Sequence, residues 1–353
     1  MTDAPHALYR QTGLPIFQNR MYDSAAEGRD CPRGDVVLVE DPKSGLVRNG
    51  AFDARLMNYD AAYQNEQGMS LHFRQHLDEV AALIEARMGR DRLVEVGCGK
   101  GTFLELMLAR GADLVGYDPT YEGANPRVQR AYFSEELGIR GDGLILRHVL
   151  EHIEDPVGFL FRLAQANGGQ GLIYIEVPCF DWICAKRAWF DIFYEHVNYF
   201  RLTDFRRIFG RVVHADRGFG GQYLRIIGDL ATLRHPVRDA TDPVAFPADF
   251  TTRLLQEAGE ELGPCIVWGG ASKGVIFSLL RERAGYPVDR VIDINPAKQG
   301  KYLAATGLRV MSPAEGLVGL PKGSVIHVMN PNYLTEIQAM AGPDFICKGM
   351  SHD

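Results

Sequence analysis

Residues 93–104, LVEVGCGKGTFL, constrain this chain more than any other stretch. A short apolar run carrying one acid, Glu95, ends in a glycine-rich turn and passes into the start of an amphipathic helix. Gly97, Gly99 and Gly101 have no Cβ, so the backbone can turn through positive φ and come close to a ligand. The helix that follows begins with N–H groups facing the same spot. The pattern is that of the first strand, turn and helix of a nucleotide-binding α/β unit.

Three details narrow the ligand. The spacing is G-x-G-x-G, and Thr102 stands where the dinucleotide-binding fingerprint of dehydrogenases has its third glycine. Glu95 lies two residues before the turn, where a carboxylate repels a pyrophosphate and attracts an ammonium. That suits the amino-acid end of S-adenosylmethionine. A second apolar run, residues 112–117, ends in Asp118, placed to accept hydrogen bonds from a ribose diol at the next strand's end. Pro119, Phe133, His148 and Tyr63 complete the expected cofactor pocket with Glu95, Gly97, Gly99, Gly101 and Asp118.

At 353 residues the chain is longer than one ordinary domain, and 46% hydrophobic residues suffice for more than one core. A net charge of -7 argues against non-specific binding to nucleic acid or anionic lipid. No apolar stretch reaches the roughly 18 residues of a membrane span, and the N-terminus lacks the pattern of a secretory signal. The six cysteines show no paired spacing, which reads as reduced, mostly buried thiols in a cytoplasmic protein. A monomer or homodimer acting on a small molecule is expected, with neither nucleic acid nor membrane as partner.

Along the chain, residues 1–58 read as a small turn-rich module with a hairpin around Pro42 to Gly45. Residues 59–230 read as the cofactor domain, with a helix over 71–88 preceded by Tyr59, Tyr63, Asn65, Gln67 and Ser70, which serve either as a lid or in hairpin packing and helix capping. Strands are predicted near 92–96, 112–117, 127–131, 143–147 and 171–177, with helices near 101–110, 156–166 and 203–209. That alternation predicts a doubly wound parallel sheet with helices on both faces. The fourth strand runs into RHVLEHIEDP, where Asp155 and Pro156 look like an N-cap and first helical residue. His148 and His152 are four apart and lack an evident third ligand, so no metal is expected.

After the fifth strand comes CFDWICAKRAWFDIFYEHVNYF, residues 179–200, in which six aromatics between Trp189 and Phe200 surround the pair Glu195-His196. Burial lowers a histidine pKa and a neighbouring carboxylate raises it, so the expectation is a value near neutrality, suited to proton abstraction. His196 is the expected base, Glu195 its assistant, and Tyr194, Tyr199 or Asn198 a donor to an enolate oxygen. His152 joins Asn198 and Tyr199 as a candidate acceptor-binding residue.

A strand pair in 211–228 precedes a linker over 231–247 with three prolines. Residues 248–353 then hold a helix to about 262 and a second strand-turn-helix, CIVWGGASKGVIFSLL, with Asp293 at a later strand end. Gly269, Gly270 and Gly274 with Lys273 are placed to cradle an anionic group, and Asn330, Asn332 and Tyr333 close another strand. The fold expected is α/β: a class I methyltransferase-like sheet, a smaller Rossmann-like C-terminal domain and a small N-terminal module.

Taken together, VEVGCGKGTFL, RHVLEH, IEVP, YEHVNYF, GGQYLR, WGGASKG, DINPAKQGKY and MNPNYLTEI resemble the three-part C-methyltransferases of deoxysugar and polysaccharide biosynthesis. The last three are the most specific, since ordinary methyltransferases have no such C-terminal domain. The resemblance implies S-adenosylmethionine as cofactor, methylation of a carbon beside a ketone on a nucleotide-linked sugar, and a histidine base in a Tyr-His-Glu-His run matched at its last two positions by Glu195 and His196. Two departures stand out. The family's N-terminal Cys-x-x-Cys zinc ligands are replaced by Asp41-Pro42-Lys43-Ser44-Gly45 with only Cys31 nearby, which predicts no zinc. The first two positions of the run are Phe193 and Tyr194, which leaves the acceptor and the methylated atom open between carbon, oxygen and nitrogen. A nicotinamide-dependent oxidoreductase and a non-catalytic cofactor-binding protein are the rival readings.

Overall fold

The computed structural model describes residues 7–57, 70–137, 140–252 and 263–350. The expected lid residues Tyr59, Tyr63, Asn65 and Gln67, and most of the expected 248–262 helix, lie outside the described residues.

In the N-terminal module, β1 (Ala7–Pro15), β2 (Arg33–Glu40) and β3 (Val47–Asn49) form an antiparallel meander. Its hairpin is closed by Asp41, whose Oδ1 accepts from the N–H groups of Lys43 and Ser44. Those two bonds form an Asx turn.

The cofactor domain opens with α1 (Leu71–Met88), capped by the Ser70 hydroxyl, which accepts from the Phe73 N–H. Phe73, His76, Leu77, Val80, Ala81 and Ile84 are buried, one stripe at helical spacing. Then follow β4 (Leu93–Val96), α2 (Thr102–Ala109), β5 (Leu114–Tyr117), β6 (Val128–Gln129), β7 (Gly143–Arg147), α3 (Pro156–Ala166) and β8 (Leu172–Pro178). In α3 the Asp155 carboxylate accepts from the Gly158 N–H and Pro156 occupies the first turn, as the sequence predicts.

The short β9 (Asn198–Tyr199), from the aromatic loop, pairs with β3 of the N-terminal sheet. That sheet is therefore completed from outside residues 1–58. The strand pair β10 (Val212–Gly218) and β11 (Tyr223–Asp229) closes the main sheet, whose order is β10-β11-β8-β7-β4-β5-β6. β11 runs antiparallel to β8, so the sheet is mixed rather than wholly parallel. The reason is covalent: a tight turn at Phe219–Gly221 returns the chain as a hairpin, which antiparallel strands alone permit.

The C-terminal domain contains β12 (Ile266–Trp268), α4 (Lys273–Arg283), β13 (Arg290–Ile292), β14 (Val310–Met311), β15 (Val325–Val328), α5 (Leu334–Ala341) and β16 (Ile346–Gly349). Its sheet is all parallel, in the order β14-β13-β12-β15-β16. In both sheets the strand order reverses beside the first strand, so a crevice opens beyond the carboxyl ends of β4 and of β12. All six cysteines are free thiols, five of them buried.

Candidate active site

The glycine turn after β4 has φ values of 73°, 55° and 80° at Gly97, Gly99 and Gly101. A Cβ on Gly97 would lie 2.5 Å from Val149 Cγ2, so the turn passes directly against the loop after β7. Asp118, just beyond β5, accepts from the Gly99 N–H at 2.8 Å through one oxygen and from Thr120 N and Oγ1 through the other. The carboxylate expected on a ribose thus also fixes the turn. Phe133 packs on Tyr117 at 5.3 Å, while Pro119 is exposed at the rim.

Glu95 is buried, and its Oε2 has no hydrogen-bond partner among the described residues. Burial pushes its carboxyl up to about 7, opposed by the nearby Arg147 guanidinium and reinforced by Asp118. An orphaned buried carboxylate costs stability until a cation meets it. An open glycine turn beside such an acid fits the amino-acid end and ribose of S-adenosylmethionine.

At the end of β7, Arg147 lies over the Phe103 ring at 4.6 Å and donates to Glu176 Oε1 at 2.8 Å. His148, with φ 51°, holds its ring between two carboxylates: Nδ1 is 3.4 Å from Glu151 and Nε2 is 3.1 Å from Glu176. Burial lowers its pKa, but the two carboxylates outweigh it and hold the ring at about 9, an imidazolium at neutral pH. His76 Nε2 lies 3.1 Å from Glu176 and the Tyr174 hydroxyl donates to it at 2.8 Å. Glu176 is kept ionised against its burial chiefly by Arg147, with His148 and His76 adding to the effect. Sequence reasoning missed Glu176 and His76, although an acid inside the apolar run IYIEVP was the available signal.

His196 is 9% exposed and packs edge-on against His152 at 4.9 Å and Phe193 at 4.8 Å. Its pKa is held well below the usual histidine value by burial first, then by His152, His148 and Lys273. The expectation of a value near neutrality is therefore corrected. Glu195 turns to His152, whose Nδ1 donates to the Glu195 carbonyl at 2.9 Å and lies 3.8 Å from its carboxylate. The His196 ring is therefore neutral at neutral pH and a weaker base than a free imidazole.

Donor atoms of Glu151, His152 and His196 lie within 4.8 Å of one another. Folding thus brings two further possible ligands to His152, and His148 is not one of them.

The three expected enolate donors are engaged elsewhere. The Tyr194 hydroxyl donates to Asp53 O and accepts from Asp53 N, the Tyr199 hydroxyl exchanges two bonds with the Phe193 backbone, and Asn198 donates to Ile153 O at 2.6 Å. They build the loop and tie it to the N-terminal module.

Lys273, at the start of α4, contacts Asp191 Oδ2 at 2.8 Å and donates to Gln222 Oε1 at 3.0 Å. The Gln222 amide in turn donates to Asn330 at 2.8 Å. Lys273 and Asn330 line a cleft of about 1010 Å³, mouth included, beyond the carboxyl ends of β12, β13 and β15. Asp293 there accepts from Gly270 N at 2.8 Å, the counterpart of Asp118 and Gly99. Asp191, Gln222 and Tyr223 were not foreseen as site residues, because what they touch comes from distant parts of the chain.

Residues 65–212 match the family model of a methyltransferase domain. That stretch of the chain is therefore similar to methyltransferase domains, and the chain around it folds as a doubly wound α/β sheet. It is 28% identical over 188 residues to the C-methyltransferase NovU of Streptomyces niveus, covering 47% of this chain and 44% of that protein. It is 30% identical over 149 residues to a ubiquinone biosynthesis O-methyltransferase of Alkalilimnicola ehrlichii, covering 36% of this chain and 60% of that protein. The matches thus span about half the length of these relatives. Among solved structures, the 1,6-didemethyltoxoflavin-N1-methyltransferase of Burkholderia thailandensis aligns with TM-score 0.34 and 16% identity over 54% of this chain and 96% of that one.

Proposed function

We propose that this protein is a S-adenosylmethionine-dependent methyltransferase acting on a carbon beside a ketone of a nucleotide-linked sugar, with His196 as general base. The observation that carries the reading is the placement of His196: a buried ring in the aromatic loop after β8, packed edge-on against His152 and Phe193 and unprotonated at neutral pH. Glu95, the glycine turn and Asp118 would hold the cofactor's ammonium and ribose. When bound, that cofactor supplies an electrophilic methyl on a sulfonium sulfur. Its electrophilicity leaves the protein two tasks, alignment of the acceptor and removal of one proton.

Phe193 and Tyr199, both buried, pack around the ring that takes the proton and limit water's access to it. The C-terminal cleft, with its Asp293-clamped turn and Asn330, suits the nucleotide handle of the acceptor. Similarity to a protein named as a C-methyltransferase supports methylation at carbon.

A second reading, transfer to oxygen, draws on the similarity to a protein named as an O-methyltransferase. There His196 would take a hydroxyl proton and no enolate would form. The two separate in one experiment: a panel of nucleoside-diphosphate-linked keto-hexoses is incubated with methyl-labelled cofactor, and the product's new bond is read by NMR. A new carbon–carbon bond supports the proposal. A methoxy product, or no transfer to any member, contradicts it.

A further inference from the structure

We infer that Tyr223 contacts the acceptor where it passes from the C-terminal cleft toward His196, and that this ring decides which sugars the protein accepts. The inference deepens the nucleotide-linked acceptor reading above and rests on it. Most residues lining the cleft belong to the C-terminal domain, but Tyr223 is the first residue of β11 in the cofactor domain. It lies opposite Pro178, the last residue of β8, and so stands at the carboxyl end of the main sheet, where ligands of such folds sit.

The ring is held on several sides. Phe219 stacks on it at 5.0 Å and an 11° interplanar angle, the His148 ring meets it at 4.5 Å and 70°, and His76 packs at 5.6 Å. Phe219 and His148 have φ values of 50° and 51°. Residues with a side chain avoid that conformation, and it persists where surrounding contacts impose it. For Phe219 those contacts come from the other domain. The Asn332 amide donates to the Phe219 carbonyl at 2.9 Å, the Tyr333 ring lies 5.8 Å from that of Phe219, and Gln222 donates to Asn330 at 2.8 Å. The C-terminal domain thereby fixes the hairpin tip of the main sheet, and Tyr223 with it.

Tyr223 also links the cleft to the base through side chains alone. It lines the cleft together with Trp268, Met329 and Asn330. Its neighbour His148 lies 3.4 Å from Glu151, whose carboxylate stands with His152 and His196 in a group within 4.8 Å. A molecule with its handle in the cleft and its reacting carbon at His196 spans this series, and Tyr223 is the member that lines the cleft. A half-buried aromatic ring fixed on two sides suits that position: it presents apolar surface to a sugar without moving to fit it. Its task is alignment and size selection, since a carbon out of line with the donor reacts slowly.

The test separates contact with the sugar from contact with the handle. With the demethylated cofactor product present, calorimetry compares the nucleoside diphosphate alone with its keto-hexose conjugate from the panel. Wild-type protein should bind the conjugate more tightly than the handle. Y223L should lose about tenfold or more in conjugate affinity and in kcat/KM, while its Kd for the handle and for S-adenosylmethionine stays within about threefold. Y223F, which keeps the ring, should behave as wild type. A Y223L protein that binds and methylates the conjugate as wild type does overturns the inference. So does an equal loss for handle and conjugate, which would assign Tyr223 to the cleft's structure. If Y223L does not fold, Y223W carries the test: its added bulk should weaken the conjugate and spare the handle, and unchanged conjugate binding contradicts the inference. Wild-type protein that methylates a panel member while the Tyr223 variants fail these expectations loses this inference alone. Wild-type protein that neither binds nor methylates any member refutes the acceptor reading as well.

Discussion

Gly99 donates its backbone N–H to the Asp118 carboxylate at 2.8 Å, so the acid at the end of the second strand of the cofactor domain clamps the turn at the end of the first. The C-terminal domain repeats the device with Gly270 and Asp293 at 2.8 Å. Two crevices of one design therefore stand in one chain, and they can be disabled separately. D118A should raise the S-adenosylmethionine Kd about tenfold or more, since it removes both the clamp and the proposed ribose partner. D293A should leave that Kd within twofold. Calorimetric titration of the two variants checks the pair, and equal losses would contradict the division of labour.

Cofactor affinity should depend on pH through Glu95. Burial raises this carboxyl to about 7, so the group is largely protonated at pH 6 and largely ionised at pH 8. An ammonium ligand favours the ionised form, so binding should tighten as pH rises through that range and be accompanied by proton release. E95Q should bind weakly and lose the pH dependence. For the free protein the sign is opposite: a raised carboxyl contributes stability at low pH that is lost as pH climbs toward 7.

The buried cluster around Glu176 should be a stability element. Removing its charge leaves Arg147, His148 and His76 facing a neutral amide, and breaking a buried charged network costs about 3 kcal/mol or more. E176Q should therefore unfold well below the wild-type temperature. The pH signs differ within the cluster. Glu176 is depressed, so its contribution is lost as pH falls into the acid range; His148 is raised to about 9, so its contribution is full below about 6.5 and fades as pH rises through 9. Thermal unfolding against pH should show a plateau with a fall on each side.

Chelation should leave the reaction unchanged. Glu151, His152 and His196 come within 4.8 Å of one another, a set that could draw in a divalent cation, but a ring whose lone pair holds a metal cannot take a proton. Dialysis against EDTA followed by elemental analysis and an activity assay checks this. Loss of turnover restored by one metal ion would make His196 a ligand instead of a base.

Much of the fold was legible because its signals are local. Asp155-Pro156 marks the start of α3 to the residue, and the apolar run at 143–147 is β7. What escaped depends on distant partners. β9 is two residues long and exists because Val47 and Arg48 pair with Tyr199 and Asn198. The two-residue β14 and the partly exposed β16 carry little apolar pattern of their own. Locally legible too were the strand carrying Glu95, the turn through Gly97, Gly99 and Gly101, and the aromatic surroundings of His196. The partner of Glu195 was not, because adjacency in sequence says nothing of which ring a carboxylate turns toward. Nor was the sign of the His196 shift, which His152, His148 and Lys273 impose through space.

In the proposed reaction His196 takes the acceptor's proton without holding the methyl donor. The most direct measurement is H196N, assayed for turnover and, by calorimetry, for S-adenosylmethionine binding in the same preparation. The predicted result is a loss of at least about 100-fold in kcat with cofactor Kd within threefold of wild type. Unchanged turnover, or a fall in activity matched by an equal loss of cofactor binding, would contradict it.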